Sequence, residues 1–178
     1  MDTIEEYVDR RTLIAGDVNS GKTDRTQKIL QCFLRAGYGE NIAILDLAPD
    51  SVRGVGGKME PPLDKPLVYL TTSISAPRLT GRNENHIRQL AENNSTAIEK
   101  LFVKLYQQTR AILFVNDATL YFQAGHFQRF VEIIDTASTQ IINAYYGSTF
   151  ADSELTRREK NRTEDLMKIC DNIISMTC

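Results

Sequence analysis

Long apolar runs are missing from this 178-residue chain, and so is any excess of one charge. No stretch approaches the about 20 apolar residues that a membrane-spanning helix needs. The opening Met1-Asp2-Thr3-Ile4-Glu5-Glu6 is acidic where a secretory signal is basic and then apolar. Both absences set the expectation of a cytoplasmic protein with no membrane partner. Lys and Arg number 21 against 23 Asp and Glu, a net charge of −2, so bulk charge gives no argument for nucleic acid as a partner. Cysteine is scarce: Cys32, Cys170 and Cys178 are odd in number, far apart and form no C-x-x-C pair, which speaks against a disulfide framework or a zinc site. Cys32 and Cys170 read as packing residues. There is no tryptophan, internal repeat, low-complexity tract or heptad pattern. What remains, 42% hydrophobic and 25% charged residues with seven Tyr and seven Phe, is the composition of a globular protein. The length suits one well-buried domain, residues 1–178, with residues 1–9 as an N-terminal arm.

The stretch that organises the rest is Gly16-Asp17-Val18-Asn19-Ser20-Gly21-Lys22-Thr23, directly after the apolar Leu13-Ile14-Ala15. In the pattern G-x-x-x-x-G-K-[ST], glycines let the backbone turn with positive φ and wrap successive N–H groups around a phosphate chain. Lys22 would reach the β- and γ-phosphates, and Thr23 would place its hydroxyl on Mg²⁺. With Asp24, these residues open a helix whose N-terminal end carries about half a positive charge toward the anion. Ile29, Leu30, Phe33 and Leu34 keep helical spacing, and Ala36-Gly37 stop the helix.

On Gly16, Gly21, Lys22 and Thr23 the chain resembles the P-loop NTPase superfamily. The resemblance implies helices on both faces of a parallel sheet and binding of a nucleoside triphosphate with Mg²⁺. It does not choose among kinases, GTPases, motors and transport ATPases.

Further strands are predicted at 41–47, 66–71, 111–117 and 139–145. The first and third of these are continuous apolar runs, as strands buried on both faces require. Five strands alternating with helices predict an α/β three-layer sandwich with a mostly parallel sheet of about five strands. Between the second and third strands, residues 48–66 carry Pro49, Gly54, Gly56, Gly57, Pro61, Pro62 and Pro66 without periodicity, a length that marks a functional or disordered loop. A long helix follows Asn83, its expected cap, with Ile87, Leu90, Ala91, Ile98, Leu101, Phe102 and Leu105 at helical spacing. A shorter helix buries Phe127, Phe130, Val131 and Ile134. The last helix is predicted over Asp152 to Met176, with Leu166, Ile169, Cys170, Ile173 and Ile174 as the stripe docked on the sheet.

In such a sheet the ligand lies beyond the carboxyl ends of the strands. Asp117, after the apolar Ile112-Leu113-Phe114-Val115, stands where a Walker B acid orients Mg²⁺; the alternative is an aspartate that caps the next turn, with Asn116 competing for the polar contact. Asp46, after the second strand, resembles the acid that positions or deprotonates the acceptor hydroxyl in small-molecule P-loop kinases; the alternative is a buried carboxylate that ties down its own loop. Arg53, Lys58, Arg78 and Arg82 flank the cradle; singly each reads as a solvated surface charge, and as a set they read as an anion-binding rim. His86 and His126 are too isolated for a metal site or a triad. Residues 156–165 have no apolar stripe, so they form either a solvated charged helix or a lid that brings Arg157, Arg158 or Arg162 to the transferred phosphate only in a closed state. Paired arginines occur in the lids of nucleoside monophosphate kinases, where the lid precedes a further strand. The Asp46 segment is also faintly similar to the polynucleotide 5′-hydroxyl kinases, but that pattern wants a second aspartate at Ala48 and Gly-Gln at Asp50-Ser51.

Two functions are expected: Mg-dependent binding of ATP with hydrolysis or phosphoryl transfer to a hydroxyl-bearing or phosphorylated acceptor, or a nucleotide-gated module for a protein partner with little or no catalysis. GTP is the less expected ligand, because Asn-Lys-x-Asp is missing and no D-x-x-G follows the Asp117 strand.

Overall fold

The computed structural model describes residues 3–55, 57–62 and 64–177. The readings on Met1, Asp2, Gly56 and Cys178 lie outside them. Among the described residues the strands are β1 (Arg11–Gly16), β2 (Ile42–Asp46), β3 (Val68–Thr71), β4 (Ile112–Asn116), β5 (Thr139–Tyr145) and β6 (Asn172–Met176). They form one sheet in the order β3-β2-β4-β5-β1-β6, with every pair parallel. All carboxyl ends therefore share one edge. The helices are α1 (Lys22–Arg35), α2 (Pro77–Thr80), α3 (Glu84–Tyr106), α4 (Thr119–Phe122), α5 (Phe127–Ile134) and α6 (Glu154–Met167).

Alternation along the strands divides the apolar side chains between two faces. Leu13 and Ala15 of β1 join the core made with Ile98, Leu101, Phe102 and Leu105 of α3, Phe130, Ile133 and Ile134 of α5, and Leu166 of α6. Ile14 points the other way, into the core made with Ile29, Leu30 and Phe33 of α1 and with Tyr7. This gives the expected helix-sheet-helix layering. Residues 3–9 contribute a short 3₁₀ turn, Ile4–Glu6, pinned by the buried Tyr7. Asn83 caps α3 as expected: its side-chain oxygen accepts from the His86 N–H at 2.9 Å.

The chain end departs from expectation. The predicted helix over 152–176 is instead α6, a turn and a sixth strand. Asn172-Ile173-Ile174-Ser175-Met176 alternates exposure, with Ile174 and Met176 packing on the α1 side and Ile173 open, the period of a strand rather than a helix. Two Ile in succession favour that choice, since branching at Cβ restricts side chains on a helix. The strand is anchored on β1: the Arg11 N–H donates to Asp171 Oδ2 at 2.7 Å, and Asn172 Nδ2 donates to the Glu6 carbonyl at 3.0 Å and Thr12 Oγ1 at 3.3 Å.

The first half of α6 is also not the solvated segment expected from its missing apolar stripe. Its inner face is polar but buried, through Glu159 and Thr163 ahead of Leu166. Partners in the protein, rather than apolar area, make that burial tolerable. Among the described residues no helix is long and apolar enough to cross a membrane.

Candidate functional site

A cleft of about 300 Å³ opens at the carboxyl edge of the sheet. One wall is Val18, Asn19, Ser20, Gly21, Lys22, Thr23 and Asp24; facing it are Asn116 and Asp117. Asn19 (φ 56°) and Gly21 (φ 83°) are left-handed, and these turns bend the loop into a concave shape before α1 begins at Lys22. Gly16 serves closeness instead: a Cβ there would stand 2.7 Å from the Met176 carbonyl oxygen and 2.6 Å from Ser20 Oγ. It lets the loop leave β1 against β6. Lys22 Nζ donates to the Asp17 carbonyl at 2.6 Å, folded back across its own loop. The buried Ser20 Oγ has no hydrogen-bond partner among the described residues.

Asp17 does not turn its carboxylate into the cleft. It accepts from the Val18 N–H (2.6 Å), the Ser148 N–H (3.0 Å) and Thr149 Oγ1 (2.5 Å). The Thr149 and Ser148 bonds pull its pKa down to about 2. It staples the loop to the turn after β5, where Gly147 leaves room for it: a Cβ there would lie 2.3 Å from Asp17 Cγ.

The two aspartates predicted on this edge have different surroundings. Asp46 is fully buried and is not part of the cleft wall. Its carboxylate accepts from the Met59 N–H (2.6 Å), Tyr69 Oη (2.8 Å), Asn116 Nδ2 (2.8 Å) and the Ala48 N–H (3.3 Å). Of the two readings of Asp46, the geometry matches the carboxylate that ties down its own loop. Lys58, expected in the anion rim, ties the same loop through the Ala48 carbonyl (2.6 Å), Thr71 Oγ1 (2.8 Å) and the Thr72 carbonyl (3.1 Å). Folded back in this way, residues Ala48, Pro49, Val55 and Gly57 become part of the cleft wall.

Asp117 lines the cleft, half-buried, with a left-handed backbone (φ 58°) that is unusual for a residue other than glycine. Asn143, a polar residue inside the apolar β5, holds that turn. Its Oδ1 accepts from the Asp117 N–H at 2.8 Å, while its Nδ2 donates to Asn116 Oδ1 (2.9 Å) and Thr26 Oγ1 (2.8 Å). Asn116 is thereby engaged on both ends and also faces Thr23 Oγ1 at 3.5 Å. Burial pushes the Asp117 carboxyl up to about 6, against the opposing pull of Lys22, Arg78 and the Thr119 hydroxyl. A hydroxyl (Thr23) and a carboxylate (Asp117) beside the lysine are oxygen ligands suited to a hard cation such as Mg²⁺. Among the described residues there is no cluster of three or more His, Cys, Asp or Glu that could hold a metal alone. An Mg²⁺ here would need ligands from a bound phosphate or water.

Arg78 is the cation of the predicted rim that reaches the cleft. Its guanidinium lies 3.8 Å from the centre of the Phe150 ring and 5.3 Å from that of Tyr145, and it pairs with Glu159. Glu159 is 1% exposed and also accepts from Gln123 Nε2 at 3.0 Å; burial raises its pKa to about 7. Arg53 and Arg82 are exposed and do not line the cleft.

The three arginines expected from a lid lie elsewhere. Arg157 is exposed and bonded to the Ser153 carbonyl at 3.3 Å, Arg158 donates to the Ala124 and Gly125 carbonyls (3.2 and 2.9 Å), and Arg162 pairs with Asp165 at 3.2 Å. None is in the cleft wall. The physical reason is the buried face of α6: Glu159 fixes the helix rotation toward Arg78, which turns 157, 158 and 162 to other sides. Residues that sequence reasoning passed over are Asn143, Thr119, Gln123 and Glu159. A polar side chain within an apolar strand was the available signal for Asn143; Glu159 lay unmarked in a charged run.

Compared with protein-family models and with curated proteins, the chain matches no family model and no curated protein.

Proposed function

We propose that the protein binds a nucleoside triphosphate with Mg²⁺ in this cleft, as the P-loop resemblance of residues 16–23 implies. The observation that carries the reading is the junction of the left-handed turn at Asn19 and Gly21, the start of α1 at Lys22-Thr23, and Asp117 across one cleft. Backbone N–H groups and the helix end favour an anion there, Lys22 adds a charge, and Thr23 with Asp117 supplies oxygen ligands for the metal. Lys22 must leave the Asp17 carbonyl to meet a phosphate, an exchange of one acceptor for a charged one. Asp46 acts as a positioning residue beneath the loop rather than as the acceptor's base. In place of the lid arginines, Arg78, which lines the cleft while paired with Glu159, would face the charge that spreads over the γ-phosphate oxygens.

ATP is the expected nucleotide, and the cytoplasm its expected compartment. The activity is hydrolysis or phosphoryl transfer. The second reading, a nucleotide-gated module for a protein partner, is favoured by one observation: Ala48, Pro49, Val55 and Gly57 of the 48–66 loop lie in the cleft wall, so a ligand there could order the loop. Calorimetric titration of a non-hydrolysable ATP analogue, with and without Mg²⁺, tests the binding. Lys22→Ala is expected to lose about 10- to 100-fold in affinity, the worth of a charge-assisted contact, with an unchanged unfolding midpoint. Equal affinity in the variant would overturn the assignment. Phosphate release measured with and without hydroxyl-bearing acceptors then separates the two readings.

A further inference from the structure

Arg78 is a cation of the cleft wall with donors to spare. Its Nη1 gives to Glu159 Oε1 and, at 3.4 Å, to Thr156 Oγ1, while its Nε and Nη2 make no hydrogen bond among the described residues. Those two nitrogens carry the parallel N–H groups on one side of a guanidinium, the edge that takes both oxygens of a carboxylate. Glu159 lies outside the cleft wall and Arg78 within it, its side chain 14% exposed, so water competes little for an anion there. The surroundings of that charge are apolar: the centre of the Phe150 ring is 3.8 Å away, and Pro77 and Leu79, on either side of Arg78 in α2, also line the cleft. The charges of Lys22 and Arg78 both bear on the Asp117 carboxyl, so the cradle lysine and this guanidinium stand around one acid.

A free base is what the wall lacks. Among the described residues it has no histidine; its carboxylates are Asp117, assigned above to Mg²⁺, and Asp24, exposed on the first turn of α1. Asp46, the base expected for a hydroxyl, is outside the wall with its oxygens already bonded. A hydroxyl acceptor must lose a proton, whereas a carboxylate has lost it before it binds. We propose that the acceptor is a small carboxylic acid with an apolar body, held as its carboxylate on the Nε/Nη2 edge of Arg78. This assignment rests on the nucleotide reading. One carboxylate oxygen attacks the γ-phosphorus of ATP and a C–O–P anhydride bond forms. The bond from that phosphorus to the β–γ bridging oxygen breaks, and ADP leaves with the electron pair. The products are an acyl phosphate and ADP, and no proton changes hands.

The labelled full chain, saturated with Mg²⁺ and a non-hydrolysable ATP analogue, is titrated with butyrate, benzoate, 1-butanol or methyl phosphate at constant ionic strength and pH. Saturable amide shifts at Arg78, Leu79 and Phe150 with the two acids, and none with butanol, are expected. Arg78→Lys, which keeps the charge and loses the fork, should weaken butyrate about tenfold. Arg78→Gln combined with Glu159→Gln, which leaves no buried carboxylate unpaired, should abolish the acid shifts. With ATP in place of the analogue and hydroxylamine present, butyrate should yield a hydroxamate, the trapped acyl phosphate, and butanol none. Arg78 also borders a neighbouring cavity with Glu84, Ile87, Ser153 and Leu155 in its wall, and acid shifts confined to those residues would overturn the proposal. So would no saturable shift with either acid, tighter binding of methyl phosphate, butyrate binding unchanged in both variants, or acid binding without hydroxamate. Calorimetry of the analogue alone reads the nucleotide site separately: an analogue that binds while neither acid shifts the chain removes the carboxylate assignment and leaves the nucleotide reading intact.

Discussion

Asp46 and Asp117 end neighbouring apolar strands on the same edge of the same sheet, and their immediate sequence contexts are nearly interchangeable. Their environments are opposite. Asp46 receives four hydrogen bonds from groups as distant in sequence as Tyr69 and Asn116 and does not line the cleft. Asp117 faces the cleft on a left-handed backbone, with burial holding its pKa up to about 6. A carboxylate surrounded by donors is structural because its lone pairs are taken; one left half-buried with a cation across from it retains the capacity to bind something. Partners thus decide what each acid can do.

The comparison breaks most readily at Asp46. Asp46→Ala leaves the buried Met59 N–H without its acceptor, and the Tyr69 hydroxyl and Asn116 amide with the Met59 carbonyl (3.5 Å) and the Gly57 carbonyl (3.1 Å), and should cost about 3 kcal/mol of stability, read from the denaturant midpoint. A loss under about 1 kcal/mol would mean that water or a rearranged loop satisfies these donors. Asp117→Asn should do the reverse: stability unchanged or raised, since a carboxylate disfavoured by burial is removed, and Mg-dependent nucleotide affinity lowered about tenfold, by calorimetry with and without the metal.

The acidity of Asp117 and of the buried Glu159 sharpens the contrast through pH. Asp117 and Glu159 bind protons more tightly folded than unfolded, so their contribution to stability is full below the ordinary carboxylate range and is lost as pH rises through about 6 and about 7. Unfolding midpoints should therefore show a downward component between about pH 4.5 and 7 that Glu159→Gln reduces. On the proposed role of Asp117 in holding Mg²⁺, only the ionised carboxylate would bind the metal, so Mg-nucleotide affinity should move the other way, strengthening as pH rises through about 6. The smallest expected effect is at Arg157, exposed and away from the cleft: Arg157→Ala should leave nucleotide affinity and turnover within about twofold, in contrast to Arg78→Ala.

The first five strands, the cap of α3 and the loop at 16–23 were legible because each rests on local rules: apolar runs, a side chain that accepts from a nearby N–H, glycine where φ is positive. The sixth strand was not, because the apolar positions of residues 166–174 fit a helical stripe, and only the pairing of β6 with β1 selects the strand. The same limit explains α6. Its charged first half looked solvated, whereas Glu159 is buried against Arg78 and Gln123, residues 81 and 36 positions away. At the site, the loop that would contact phosphate could be read directly; the side chains that set the state of Asp117, namely Asn143, Thr119 and Arg78, come from β5, α4 and α2, and only the fold brings them together.

The most direct measurement is an amide-resolved titration of the full chain with a Mg-bound, non-hydrolysable ATP analogue. The account predicts saturable shifts concentrated on Val18 to Thr23 and on Asp117, weakened on removal of Mg²⁺ and in Lys22→Ala. Saturable shifts that spare residues 18–23, or none at millimolar analogue, would contradict it.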